Sequence, residues 1–208
     1  MSHPNLPRHQ SGFTLIEIAI VLVIIGLLLG GILKGQELIT QGRIRNVSND
    51  LQSMTAAINL YQGRYLALPG DDAGAATRWS TPPAATSGNG DGVIAGMYNS
   101  TTATDESRQF WLHLRRAGLV GGAVNANNPP NAVGGITGVR DGAFGLPGIV
   151  VCTNNLPAVI AQAIDTQFDD GASNTGSVRA AIGNDATVAA AANYVDDGSS
   201  FYVLCMRP

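Results

Sequence analysis

Gly12-Phe13-Thr14-Leu15-Ile16-Glu17 opens onto a long apolar run. From Ile18 to Leu33 no residue is charged or strongly polar, and from Phe13 onward only Thr14 and Glu17 interrupt the run. A helix of that length rises about 30 Å, roughly the thickness of one hydrocarbon core. One carboxylate, Glu17, sits near the outer end of the span. A lone acid in a membrane helix is costly, and by default it has a partner and a function.

Three readings compete for this segment. A secretory signal peptide needs a shorter apolar core and a small-residue cleavage site behind it. Here the run is longer, no such site follows, and the helical pattern continues. A simple signal anchor fits the length and Arg8 ahead of it, but leaves Glu17 unexplained. The third reading takes the motif whole: a short polar leader ending in Gly12, then Phe13-Thr14-Leu15-Ile16-Glu17, then an apolar helix. In this the chain resembles the type IV pilin and pseudopilin family.

The resemblance implies a set of roles. A membrane prepilin peptidase would cut between Gly12 and Phe13 and N-methylate the new Phe13 amine. Glu17 would act in assembly, attracting the N-terminal amine of a neighbouring subunit. Elementary electrostatics agrees, since opposite charges in a dry setting attract far more strongly than in water. The alternative is a Glu17 that reaches the headgroups or is protonated. Residues 1–12 would be the leader. Residues 13–65 would form the N-terminal helix, with its transmembrane half at 13–33, and 66–208 an extracytoplasmic globular α+β domain.

Composition narrows the function classes. The 208-residue chain has a net charge of -3, and loss of Arg8 with the leader makes it about -4. A mildly acidic chain argues against nucleic acid as a general partner. Charged residues are only 13% of the chain and glycines number 26, which suits a loop-rich exported domain. There are two cysteines, Cys152 and Cys205. In an oxidising compartment a disulfide is the natural expectation, with two unpaired buried thiols as the alternative. The family resemblance favours the bond, because many pilins tie a C-terminal loop to the domain in this way.

Beyond the span, Ile44, Val47, Leu51, Met54, Ile58, Tyr61 and Tyr65 recur at spacings of three and four, an apolar stripe on one helical face. Pro69 ends that helix. Residues 70–104 read as a surface connection, with Asn89-Gly90-Asp91-Gly92 as a turn. That turn lacks the full twelve-residue calcium-loop pattern, and no metal site is assigned. The pairs Asp71/Asp72, Asp169/Asp170 and Asp196/Asp197 are explained mostly by turns. Thr104–Leu119 predicts a second helix, capped by Thr104, with Phe110, Trp111, Leu114 and Ala117 on its buried side. His113 within it reads as structural, because no residue has ligand spacing to it. Gly148–Cys152 and Phe201–Cys205 predict strands, and a short helix follows Pro157, suited to its first position. Residues 120–147 and 171–200 show no clear period.

No Gly-x-Ser-x-Gly, His-Glu-x-x-His, phosphate-loop or zinc-finger spacing occurs, so no catalytic residue and no cofactor are expected. The expected fold is α+β and pilin-like: a long N-terminal helix, membrane-spanning then amphipathic, packed on a small antiparallel sheet. The expected function is that of a structural subunit of a type IV pilus-like filament. The alternatives are a type II secretion pseudopilin and a membrane-anchored binding domain. Expected partners are prepilin peptidase, identical or related pilin subunits, an inner-membrane assembly platform, and lipid before assembly. The chain would sit single-pass in the inner membrane with its domain in the periplasm, then pass into an extracellular pilus or a periplasmic pseudopilus.

Overall fold

The computed structural model describes residues 12–208. The expected leader therefore lies, apart from Gly12, outside the described residues. The chain divides into two compact units, Met1–Gln41 and Gly42–Pro208. Helix α1, Leu15–Tyr65, contributes to both. In the first unit its apolar side chains are exposed, from Leu15 and Ile16 through Val23 to Leu33. A rod of this length and hydropathy is long and apolar enough to cross a membrane.

In the second unit the predicted stripe turns inward. Val47, Leu51, Met54, Ile58 and Tyr61 are buried, and Ile44 and Tyr65 pack at the margin of the same core. They face a four-stranded antiparallel sheet of order β1-β2-β4-β3, built from β1 (Thr137–Ala143), β2 (Leu146–Pro157), β3 (Val178–Ile182) and β4 (Phe201–Met206). Side chains alternate across a sheet. Val139, Val151, Val178, Ala180, Leu204 and Met206 join the core of α1. Val150, Cys152, Ala181, Val203 and Cys205 point the other way, against Tyr98, Phe144 and Ala186. With both faces covered, the centre of β2 reads as a continuous apolar run rather than an alternation.

Strands β2 and β4 were visible in sequence as 148–152 and 201–205, and β2 extends further in both directions. Strand β1 falls in the stretch 120–147 that shows no period, and glycine is the reason. Gly138 lies under the Tyr98 carbonyl, where a Cβ would collide with backbone. Gly142 sits at φ 60 in a register shift between Asp141 and Ala143. The hairpin turns through Phe144 and Gly145, both at positive φ, the twist a two-residue hairpin loop requires. Strand β3 is Val-Arg-Ala-Ala-Ile, too alanine-rich to signal a strand.

Three short helices complete the unit: α2 (Ala75–Arg78), α3 (Glu106–Arg116) and α4 (Ala158–Phe168). The expected second helix is there, shorter at both ends than 104–119, with Phe110, Trp111 and Leu114 buried. Its N-cap is Asp105 rather than Thr104, and no side chain caps it. The acids at its N-cap and in its first turn, Asp105 and Glu106, hold the preceding loop instead. Asp105 accepts the Ser100 hydroxyl at 2.6 Å, and Glu106 accepts the N–H groups of Asn89 and Ala95. Pro157 is the N-cap of α4, one position ahead of where it was expected.

The segment 70–104 is more than a surface connection, since Asp71, Asp72, Ile94 and Tyr98 in it are buried. Arginines pin the loops: Arg64 donates to the Ala117 carbonyl, Arg115 to those of Asn125 and Asn127, and Arg179 to that of Phe144. A guanidinium fork suits several carbonyls at once. Every cationic side chain of residues 42–208, histidine aside, is an arginine, and Lys34 is the single lysine in the sequence.

Candidate functional site

The head of α1 is built by its own sequence. Thr14 precedes the first helical residue, and Glu17 stands three positions on. The Thr14 hydroxyl and backbone N–H both donate to Glu17 Oε2, at 2.7 and 2.8 Å, and the Thr14 hydroxyl accepts the Glu17 N–H at 3.3 Å. This is a capping box, which satisfies orphan donors at a helix start reciprocally. The Thr-x-x-Glu spacing ahead of an apolar run is its sequence signal, so the part Thr14 plays was legible but overlooked. Glu17 Oε1 has no hydrogen-bond partner among the described residues. The carboxylate is thus fixed by one oxygen and open at the other. Phe13, 84% exposed, sits one turn before Glu17, with Gly12 exposed ahead of it.

Residues 7–33 match the prokaryotic N-terminal methylation motif. The chain carries a prepilin signature. That signature supports a type IV pilin or pseudopilin, a structural subunit rather than an enzyme. It implies processing by a prepilin peptidase and assembly with other pilin subunits. Together with the one long apolar helix among the described residues it fits a single-pass inner-membrane anchor. The α+β layout, with a long N-terminal helix packed through its second half on a small antiparallel sheet, is pilin-like. No curated protein and no solved structure matches the chain.

The other site residues lie in the second unit. Cys152 and Cys205 face each other directly across β2 and β4 and form a disulfide, with Cα atoms 4.0 Å apart. The bond lies inside the sheet, on the face turned away from α1, where both residues are fully buried.

Apart from the exposed Asp196, the acidic pairs resolve into structural jobs. Asp71 is buried and takes the N–H groups of Gly90, Asp91 and Gly92. The Asn89–Gly92 turn therefore points its donors at an anion, opposite to what a cation loop needs. Asp72 receives the Tyr61 hydroxyl, the Gly74 N–H and the Arg78 guanidinium. Burial pushes its carboxyl up, but these three partners outweigh that and hold it below the usual carboxylate range. Asp165, Asp169 and Asp170 bring carboxylate oxygens within 4.8 Å of one another at the end of α4. Each already accepts backbone N–H groups, and Asp165 also takes the Tyr194 hydroxyl at 2.6 Å. Burial, with Asp170 and Asp169 nearby, pushes Asp165 up. Asp197 closes a turn through Ser199 and Ser200.

His113 is structural, as its sequence context suggested. It is fully buried between Gly70, whose N–H it accepts at Nδ1, and the Thr86 carbonyl at 2.9 Å from Nε2.

Proposed function

We propose that this chain is a structural subunit of a type IV pilus-like filament. A prepilin peptidase cuts between Gly12 and Phe13 and methylates the Phe13 amine. The subunit waits in the inner membrane with residues 66–208 in the periplasm. An inner-membrane assembly platform then draws it into the filament, where apolar helices bury one another. The observation that carries this reading is a capped carboxylate at the head of an exposed apolar rod. Glu17 keeps one oxygen without a partner, and the amine released at Phe13 of a neighbouring copy is the cation that would complete it. In a water-poor bundle such a pair is strong, and either charge alone is expensive.

Replacing Glu17 by Ala tests the reading. Filaments sheared from cells and blotted are expected to lose the variant, while its cleavage between Gly12 and Phe13, read by mass, continues. Equal incorporation of variant and wild type would reject the role of Glu17. A wild-type product that keeps residues 1–12 beside an active peptidase would reject the whole proposal.

A further inference from the structure

The two faces of the sheet have unequal covers. On the α1 side lie large side chains, among them Leu51, Tyr61, Phe110 and Trp111. On the other side, where Cys152 and Cys205 are bonded, the cover beyond the β1–β2 hairpin comes from Tyr98 and Ala186, with Ala190 at the margin. Ala186 and Ala190 belong to the segment Asn184–Ala191, between β3 and β4. That segment is fastened at its two ends. The Tyr98 hydroxyl donates to the Asn184 carbonyl at 2.7 Å. At the other end the Ala191 N–H donates to the Ala180 carbonyl at 2.8 Å, and the Ser173 hydroxyl donates to the Ala191 carbonyl at 2.7 Å. Between these points the hydrogen bonds run from Thr187 to Asp185, inside the segment itself. Thr187, Val188 and Ala189 are exposed. A span with so little buried apolar surface and no bond to the sheet along its middle opens at low cost.

The disulfide makes that opening matter. Such a bond is made and broken by thiolate attack through a mixed disulfide, which sets a third sulfur against one of the pair. Both cysteines are fully buried, and they face away from α1. A reagent must therefore come through the outer cover or wait for the whole domain to unfold.

We propose that Asn184–Ala191 is a strap that lifts from the outer face to admit a thiol–disulfide reagent to Cys152 and Cys205. Strands β2 and β4 stay paired while it is open, and the strap closes over the finished bond. In making the bond, one cysteine thiolate attacks the disulfide of an oxidant, and the second displaces the oxidant from the mixed disulfide. The oxidant leaves as a dithiol, carrying the two electrons and two protons of the cysteine pair. A dithiol reductant takes the same path in reverse.

Reduction of the folded, detergent-solubilised full chain tests this. Dithiothreitol is added without denaturant, freed thiols are trapped with iodoacetamide, and the product is counted by mass. Tyr98→Phe and Ser173→Ala each release one end of the strap by one hydrogen bond, and each is expected to speed reduction by about tenfold. Leu51→Ala weakens the core on the opposite face and should change the rate by less than about twofold, because local opening does not draw on global stability. Should Tyr98→Phe lose the near-ultraviolet signal of the fold, Ser173→Ala decides alone. Reduction at the wild-type rate in the fastening variants would overturn the proposal. So would a Leu51→Ala chain reduced as fast as they are, since the bond would then be reached by global unfolding. A wild-type chain that stays oxidised until denaturant unfolds it would overturn it as well.

Discussion

His113 shows how one buried side chain ties three segments together. Because Nδ1 accepts the Gly70 N–H, the ring proton sits on Nε2 and is donated to Thr86. The ring stacks on Tyr61 of α1 and lies beside Trp79. Burial holds its pKa below the ordinary histidine value, outweighing the Thr86 carbonyl and Asp72, which act the other way. The unfolded chain therefore binds this proton first. The contribution is complete above about pH 6.5 and shrinks as pH falls toward the lower folded value. The melting temperature of the detergent-solubilised chain should drop as pH falls from neutral through that window. His113→Phe should flatten this drop and cost about 2 kcal/mol at neutral pH, since it orphans the Gly70 and Thr86 groups. An unchanged slope in the variant would rule His113 out as the source. Asp72 contributes with its own sign: its stabilisation is present above about pH 4 and is lost only in stronger acid.

Residues announced themselves unevenly. His113 could be read as structural because nothing in the sequence had ligand spacing to it. Asp71 could not be read as the anchor of the Asn89–Gly92 turn, because its partners are backbone donors about 20 positions away, which leave no mark in sequence.

At the scale of elements, α1 was the most legible, because a helix writes its buried face at a fixed period. Leu51, fully buried on the stripe, should cost about 3 kcal/mol when replaced by Ala. Leu60, 59% exposed on the same helix, should cost less than about 0.5 kcal/mol. Denaturant unfolding of the two variants separates them, and similar losses would mean the burial is misassigned. Strands β1 and β3 were illegible for a physical reason. Their form follows from backbone approach at Gly138 and from pairing with partners distant in sequence, not from side-chain pattern. The disulfide joins the central strands β2 and β4, 53 residues apart in sequence. Replacing both cysteines by Ser should lower stability by about 4 kcal/mol in the chain-entropy account. Unfolding with and without reductant checks this, and reductant should have no effect on the variant.

At the scale of the molecule, the two units call for different solvents. Residues 42–208 hold their own core, both faces of the sheet covered, while the apolar side chains from Leu15 to Leu33 are exposed. A chain beginning at Gly42 and directed to the periplasm should be soluble without detergent and keep the near-ultraviolet signal of its buried Trp111. Recovery only in detergent would show that the apolar helix is needed for folding. The prepilin signature covers residues 7–33 alone, and beyond it the architecture follows from packing.

Cation chemistry is also partitioned along the chain. Reagents that acylate primary amines would find Lys34, and nothing in residues 42–208. A dye of that class would light the rod and leave the domain dark. A protease specific for lysine would cut the chain once, releasing residues 35–208 as one piece. Intensity of the dye on assembled fibres, compared with dispersed subunits, would then report how deeply the base of each rod is covered by its neighbours.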